Sequence, residues 1–232
     1  RSFCVPGDNS TASCQPTAQW SFNENGGRVA NDTSTNGYQA AFNGSPTWTI
    51  GKIGAGLSFN AGSDYLTTNA PTGSNWSISV WSKFPLAVTG AGYRTLVRQG
   101  SGTHHILVDP TGLLGTYDGS FASSGFDVDT LSPGWHHITG LGSGGSTVFY
   151  VDGQQVGTSA QQITSSVTEI GNATAANQNW GTMDELRIYN YVLSSAQIAW
   201  DYNKGKPVAY YDLDECQGPT AHEYNNSGMN GT

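Results

Sequence analysis

The sequence predicts an all-β fold, closed as a sandwich or a barrel, and three observations carry that expectation. Short apolar runs recur between turns rich in Gly, Ser and Asn. One Asp-Gly hairpin is written into residues 147–157, and helical periodicity is confined to a single stretch around Ile198. With 7 Trp, 11 Tyr and 8 Phe in 232 residues, the chain has enough large side chain to fill one sizeable core.

In chain order, the strand candidates are Gly56 to Phe59, Tyr65 to Thr67 and the run Ser77-Ile78-Ser79-Val80-Trp81-Ser82. That run alternates with Ile78 and Val80 on one face, as a half-buried antiparallel strand should. Next come Thr95 to Arg98, His105 to Val108, Leu113 to Tyr117, Trp135 to Thr139, Thr147 to Val151, Glu169 to Gly171 and Met183 to Tyr189. After Thr147 to Val151, Asp152-Gly153 supplies two residues that tolerate positive φ in a tight turn, which makes a hairpin. The helix is expected from Ser194, which can cap it with Gln197 three residues on, to a stop at Lys204-Gly205; it is expected across one end of the sandwich.

Charge narrows the function classes. Nine Lys and Arg against 17 Asp and Glu leave a net charge of −8, so there is no surplus of cations to displace counterions from a nucleic-acid backbone. No stretch approaches the roughly 18 apolar residues a membrane-spanning helix requires. Residues 1–19 are polar and carry two cysteines, unlike a signal peptide, and the composition fits a secreted or cell-surface chain whose targeting segment is missing. Only 11% of residues are charged, against roughly 25% in an ordinary domain, so solubility rests on hydroxyls and amides.

Cys4 and Cys14 lie ten positions apart in an N-terminal segment, residues 1–17, where a bridge would close a short loop. Pairing of either with Cys216, or no bridge, stays open on spacing alone. The C-terminal end holds an internal echo. Residues 209–232 superpose without a gap on residues 18–41 at an offset of 191, matching Ala18, Glu24, Gly27, Ala30 and Gly37 to Ala209, Glu215, Gly218, Ala221 and Gly228. The chain therefore divides into residues 1–17, a principal domain at 18–206, and the opening strand and turn of a further repeat at 207–232. A lone strand cannot bury its apolar side. The tail is thus a severed repeat, a segment docked on its own domain, or a strand donated head-to-tail to a neighbour.

Several segments together resemble the laminin-G-like, concanavalin A-like jelly-roll family. They are Gly56-Leu57-Ser58-Phe59-Asn60 with Asp64-Tyr65-Leu66, Trp76 to Trp81, Gly134-Trp135-His136-His137-Ile138-Thr139, Phe149 to Gly153, and Gly181 to Asn190 running into Leu193-Ser194. Their order and spacing over residues 19–204 make the match specific. The resemblance implies a two-sheet antiparallel jelly-roll sandwich with one short helix, used as an accessory module of secreted or surface proteins. It also implies a structural calcium joining the first strand and its turn to the penultimate long strand. On that basis Asp184 and Asp32 are the expected ligands, with Asn31, Asn36 and Asp64 as further candidates. Turn hydrogen bonds explain Asn31 and Asn36 equally well.

The fold does not transfer a substrate. Glycosidic hydrolysis needs two carboxyl groups across a cleft, and the Glu, Asp, Glu alternation of the family's glucanases is missing, which disfavours a glycoside hydrolase or lyase. Asp184 and Glu185 are adjacent and expected on opposite faces, while Asp127 and Asp129 read as a solvated loop. Neighbouring histidines at 104–105 and 136–137 point to opposite sides of a strand and read as structural. A glycan surface needs exposed rings with convergent amides. The expected group is Trp180 with Asn177, Gln178 and Asn179, and Tyr117 and Trp48 are further candidates; a lid packed over the sandwich end accounts for Trp180 equally well. Trp20, Trp76, Trp81, Trp135 and Phe149 are expected in the core. The leading expectation is a non-catalytic module for adhesion or assembly of a repeated surface protein, with a carbohydrate-binding module as the alternative; its partner is a glycan or protein at the cell surface.

Overall fold

The computed structural model of the chain describes residues 15–86, 92–100, 102–172 and 179–203. Cys4, Cys14, Cys216, Asn177 and the repeat-like segment 208–232 lie outside the described residues, and the expected disulfide and head-to-tail strand fall there with them.

The strands are β1 (Ala18–Trp20), β2 (Val29–Ala30), β3 (Ala40–Asn43), β4 (Thr47–Ile50), β5 (Ala55–Phe59), β6 (Tyr65–Ala70), β7 (Trp76–Phe84) and β8 (Arg94–Gln99). They continue with β9 (Thr103–Val108), β10 (Leu113–Asp118), β11 (Ser120–Asp127), β12 (Gly134–Ser143), β13 (Ser146–Val151), β14 (Gln154–Ser159), β15 (Val167–Gly171) and β16 (Gly181–Tyr189), before helix α1 (Ser195–Asn203). The first sheet runs β14-β13-β12-β7-β16-β5-β4, and β1 pairs with β16 beyond the end of β5. The second runs β11-β10-β9-β8-β15-β6-β3-β2, and all pairing is antiparallel.

All ten expected strands form, together with strands whose sequence carries no apolar alternation. The most telling of these is β11, whose Ser-rich sequence reads as loop but pairs with β10 and packs against β14, where Gly157 lies against the Ser124 backbone. Asp127 therefore ends a strand, and its carboxylate caps a 3-10 turn at Val128–Thr130 by accepting the Asp129 N–H. The 152–153 turn forms as expected, with φ of 49° and 78° matching the twist of a two-residue hairpin.

Trp20, Trp76, Trp180, Phe59 and Phe149 are fully buried between the sheets. Each ring removes roughly 150–250 Å² from water, about 4–6 kcal/mol apiece at about 25 cal/mol/Å². Gly142 has no side chain because the Trp76 ring lies over it, and Trp76 Nε1 donates to the Ile163 carbonyl at 2.6 Å.

Helix α1 lies on the outer face of the first sheet rather than across an end. Leu193 and Ile198 pack on Leu141 and Tyr189, and Tyr202 stacks on Trp81 with centroids 5.6 Å apart. Consequently β7 is buried on both faces instead of one, Trp81 belongs to this outer layer, and Trp135 is only half-buried. The capping box forms: Ser194 N–H donates to Gln197 Oε1 at 2.8 Å, and Gln197 N–H donates back to Ser194 Oγ at 3.3 Å. Beneath the helix, Asp201 accepts from Ser79 Oγ at 2.5 Å and pairs with Arg187, which also pairs with Glu185 at 2.7 Å. Glu185 has a φ of 53° in a bulge of β16, which sets it beside Arg187 and breaks the expected alternation with Asp184.

Candidate functional site

The five expected calcium ligands fall in three places. Asp32 accepts from Gln19 N–H, Ser34 N–H, Ser34 Oγ and Tyr38 N–H at 2.7–2.9 Å. Four donors fill the lone pairs a carboxylate offers. Asn36 lies in the same turn and donates through Nδ2 to the Thr17 carbonyl at 2.9 Å; exposed Asn31 donates its N–H to Glu24 at 2.6 Å. Asp64 instead accepts from Ser45, Asn60 and Ala61 N–H groups at 2.8–3.0 Å, and Asp184 accepts from Ile53 N–H at 2.8 Å. These hydrogen bonds organise the loops around residues 32–38, 45–64 and 51–54. Among the described residues, no group of three or more His, Cys, Asp or Glu is placed to hold a metal.

The expected glycan residues are also separated. Trp180 is fully buried and donates from Nε1 to Ser82 Oγ at 3.1 Å; Asn179 is buried and donates to the Phe59 carbonyl at 2.8 Å. Trp180 is therefore core, because its ring faces inward at the start of β16. A cleft of about 340 Å³ opens beside it between Asn60, Lys83 and Thr182, but the rings behind that cleft, Phe59 and Phe84, are buried. Trp48 closes the β2/β4 side, half-buried against Phe42 and donating to the Gly27 carbonyl at 3.1 Å.

Tyr117 leads elsewhere, to the outer face of the second sheet. On β10, Leu114 turns into the core while Gly115 and Tyr117 face out. Tyr93 and Tyr117 have centroids 5.8 Å apart, Tyr93 and Phe121 5.9 Å, and all three rings are half-buried. The Phe121 ring lies over Gly115, where a Cβ would overlap it. Tyr93 is held from below by Asn172, a fully buried residue that accepts from Thr95 N–H at 3.1 Å and donates to the Tyr93 carbonyl at 3.3 Å. Asn172 begins an Asn-Ala-Thr sequence, and its burial gives it a structural task.

Beside the rings, His104 meets the Tyr117 edge at 5.6 Å and shares a hydrogen bond with Thr95 Oγ1 at 2.9 Å. Burial lowers its pKa to about 4, helped by the Arg98 charge, so the imidazole is neutral near pH 7. Its register partner Arg98 pairs with Glu169 on β15 at 3.1 Å. The result is a stripe running Glu169, Arg98, His104, Tyr117, Phe121 across β15, β8, β9, β10 and β11. Arg98 and Glu169 are not singled out by the sequence, and His104 reads there only as structural, because the three meet only through strand register. The second histidine of that pair, His105, turns inward against Trp76 at 5.4 Å and bonds the Ser165 carbonyl. The other pair divides likewise, His136 bonding Asp152 and His137 lying under Tyr202.

By overall structure, the chain is similar to domain 4 of AbnA, an extracellular arabinanase from Geobacillus stearothermophilus, seen in complex with arabinotriose. The two are 18% identical with a TM-score of 0.62, over 81% of this chain and 97% of that one. It is also similar to the receptor-binding domain of a botulinum neurotoxin C/D mosaic serotype (15% identity, TM-score 0.63, 84% of this chain) and to a Trypanosoma rangeli sialidase (16%, 0.61, 87%). It spans 55% and 36% of those two longer chains. No curated protein matches by sequence. The family model for the concanavalin A-like lectin/glucanases superfamily matches residues 60–199, which run from the start of the second sheet's central strands to the docked helix. With strands β6–β16, the first part of the helix and more than half of the chain matched, the protein belongs to the concanavalin A-like lectin/glucanases superfamily, in its laminin-G-like branch.

Proposed function

We propose that the chain is a non-catalytic carbohydrate-binding module in an extracellular or surface setting, and that its ligand lies on the outer face of the second sheet. The observation that carries this reading is the cluster of Tyr93, Tyr117 and Phe121 on a sheet face, with Arg98 and Glu169 alongside. Rings at such a surface stack on the apolar faces of sugars while tyrosine hydroxyls and the ion pair meet sugar hydroxyls. Domain 4 of AbnA, which shares the fold, is seen in complex with arabinotriose, and that supports the reading. Hydrolysis would need a second carboxyl across the bond, and Glu169 is already committed to Arg98.

The test is calorimetric titration of the chain against an oligosaccharide panel, with Tyr117→Ala and Phe121→Ala beside it. Each substitution is expected to weaken binding by about 1 kcal/mol, roughly fivefold, and the pair by more. Tryptophan fluorescence is the wrong readout, since the face carries tyrosine and phenylalanine. The reading needs no calcium. We expect chelation to leave Tm and affinity unchanged, because Asp32 and Asp64 already accept backbone N–H groups.

Adhesion or head-to-tail assembly is the second reading, favoured by apolar side chains at the sheet edges. Ile50 on β4 is 85% exposed and Val29 on β2 is 42% exposed. Light scattering over a dilution series, on the full chain and on one ending at Lys206, tests it; multimers that need residues 207–232 are the expected sign of strand donation.

A further inference from the structure

Resting on that carbohydrate reading, we infer that the face takes an extended, uncharged glycan chain lying across β15 to β11, and turns away chains that carry uronate or sulfate groups. Three features of the stripe carry this. Its one guanidinium, Arg98, is matched by Glu169 at 3.1 Å, with both side chains largely buried. An incoming carboxylate would have to draw Arg98 away and leave Glu169 desolvated without its partner. A sugar diol asks for no such exchange, since its hydroxyls both accept from the guanidinium and donate to the carboxylate.

The second feature is His104, which stands between the ion pair and the rings. Burial and the neighbouring Arg98 keep it uncharged, so it adds no cation to attract an anion. A net charge of −8 on the whole chain repels polyanions at longer range. The third feature is shape. Five adjacent strands contribute to the stripe, and at about 4.8 Å between neighbours it extends about 19 Å. That span fits several consecutive sugars rather than one chain end, with Arg98 and His104 recessed within it.

The experiment titrates the full chain with linear hexasaccharides: neutral ones derived from arabinan, xylan and glucan, and uronate ones derived from polygalacturonate and alginate. We expect at least one neutral chain to bind at least about tenfold tighter than either uronate chain. That affinity should hold between low and moderate salt and fall about tenfold on shortening to a disaccharide. Glu169→Gln should raise uronate affinity about tenfold by releasing Arg98; the salt series on the unmodified protein decides the matter if that variant does not fold. Uronate binding equal to or tighter than neutral binding, and lost in Tyr117→Ala, overturns the selectivity while leaving the carbohydrate reading intact. A disaccharide that binds as well as a hexasaccharide overturns the extended site. No binding across the panel, or binding indifferent to Tyr117→Ala, overturns the carbohydrate reading itself.

Discussion

His105 shows how one residue ties the core to pH. It is fully buried, with its ring against Trp76 and Nε2 at 2.8 Å from the Ser165 carbonyl. Burial lowers its pKa from 6.5 to about 4, against the opposing pull of that carbonyl, and His104 is lowered to a similar value. Between those limits the unfolded chain binds protons that the folded chain refuses. Stability from these residues is therefore complete above pH 6.5 and is lost as pH falls toward 4. At about 1.4 kcal/mol per pH unit, acidification over this range removes about 3 kcal/mol for each of the two groups. Urea melts from pH 7 to pH 4 should show a falling midpoint, and His105→Gln, though weaker at pH 7, should show a shallower fall. An equal slope in that variant would move the acid sensitivity to other groups.

At the scale of elements, α1 is fixed by a charge network as much as by its apolar side. Burial alone would raise the Asp201 pKa, but the Arg187 guanidinium, with His137 and Ser79, holds the carboxyl well below the usual range. Removing one partner of a buried pair costs about 3–5 kcal/mol. At roughly 2–4 °C per kcal/mol, Asp201→Asn should lower Tm by about 10 °C, and hydrogen exchange should speed up across residues 195–203 first. Part of this element was legible in the sequence: Ser194 and Gln197 cap it because their hydrogen bonds are local, and Asp152-Gly153 turns for the same reason. Its place on the outer face was not, because Ser79, His137 and Arg187 come to Asp201 from three strands. Trp180 marks the same limit from the other side. Its position beside a turn was readable, but not the inward direction of its ring. Tyr117 was readable as a surface ring, whereas Arg98 and Glu169 become partners only when β8 pairs with β15.

For the whole molecule, the sandwich separates two kinds of work. The docked helix covers the outer face of the first sheet, and the aromatic stripe lies on the opposite outer face of the second, with the buried tryptophans between them. Packed sheets stand about 10 Å apart, so Asp201 and Tyr117 share no partner and their effects should add to within about 0.5 kcal/mol. The prediction concerns four proteins: the unmodified chain, Asp201→Asn, Tyr117→Ala, and the double variant. Asp201→Asn should lower the urea midpoint with sugar affinity unchanged under conditions where it stays folded, and Tyr117→Ala should weaken affinity with a smaller effect on the midpoint. In the double variant both losses should appear at their single-variant sizes. A coupling above about 1 kcal/mol would mean that helix docking reaches the sugar face through the core. In that case, release of α1 would regulate binding from the far side of the sandwich.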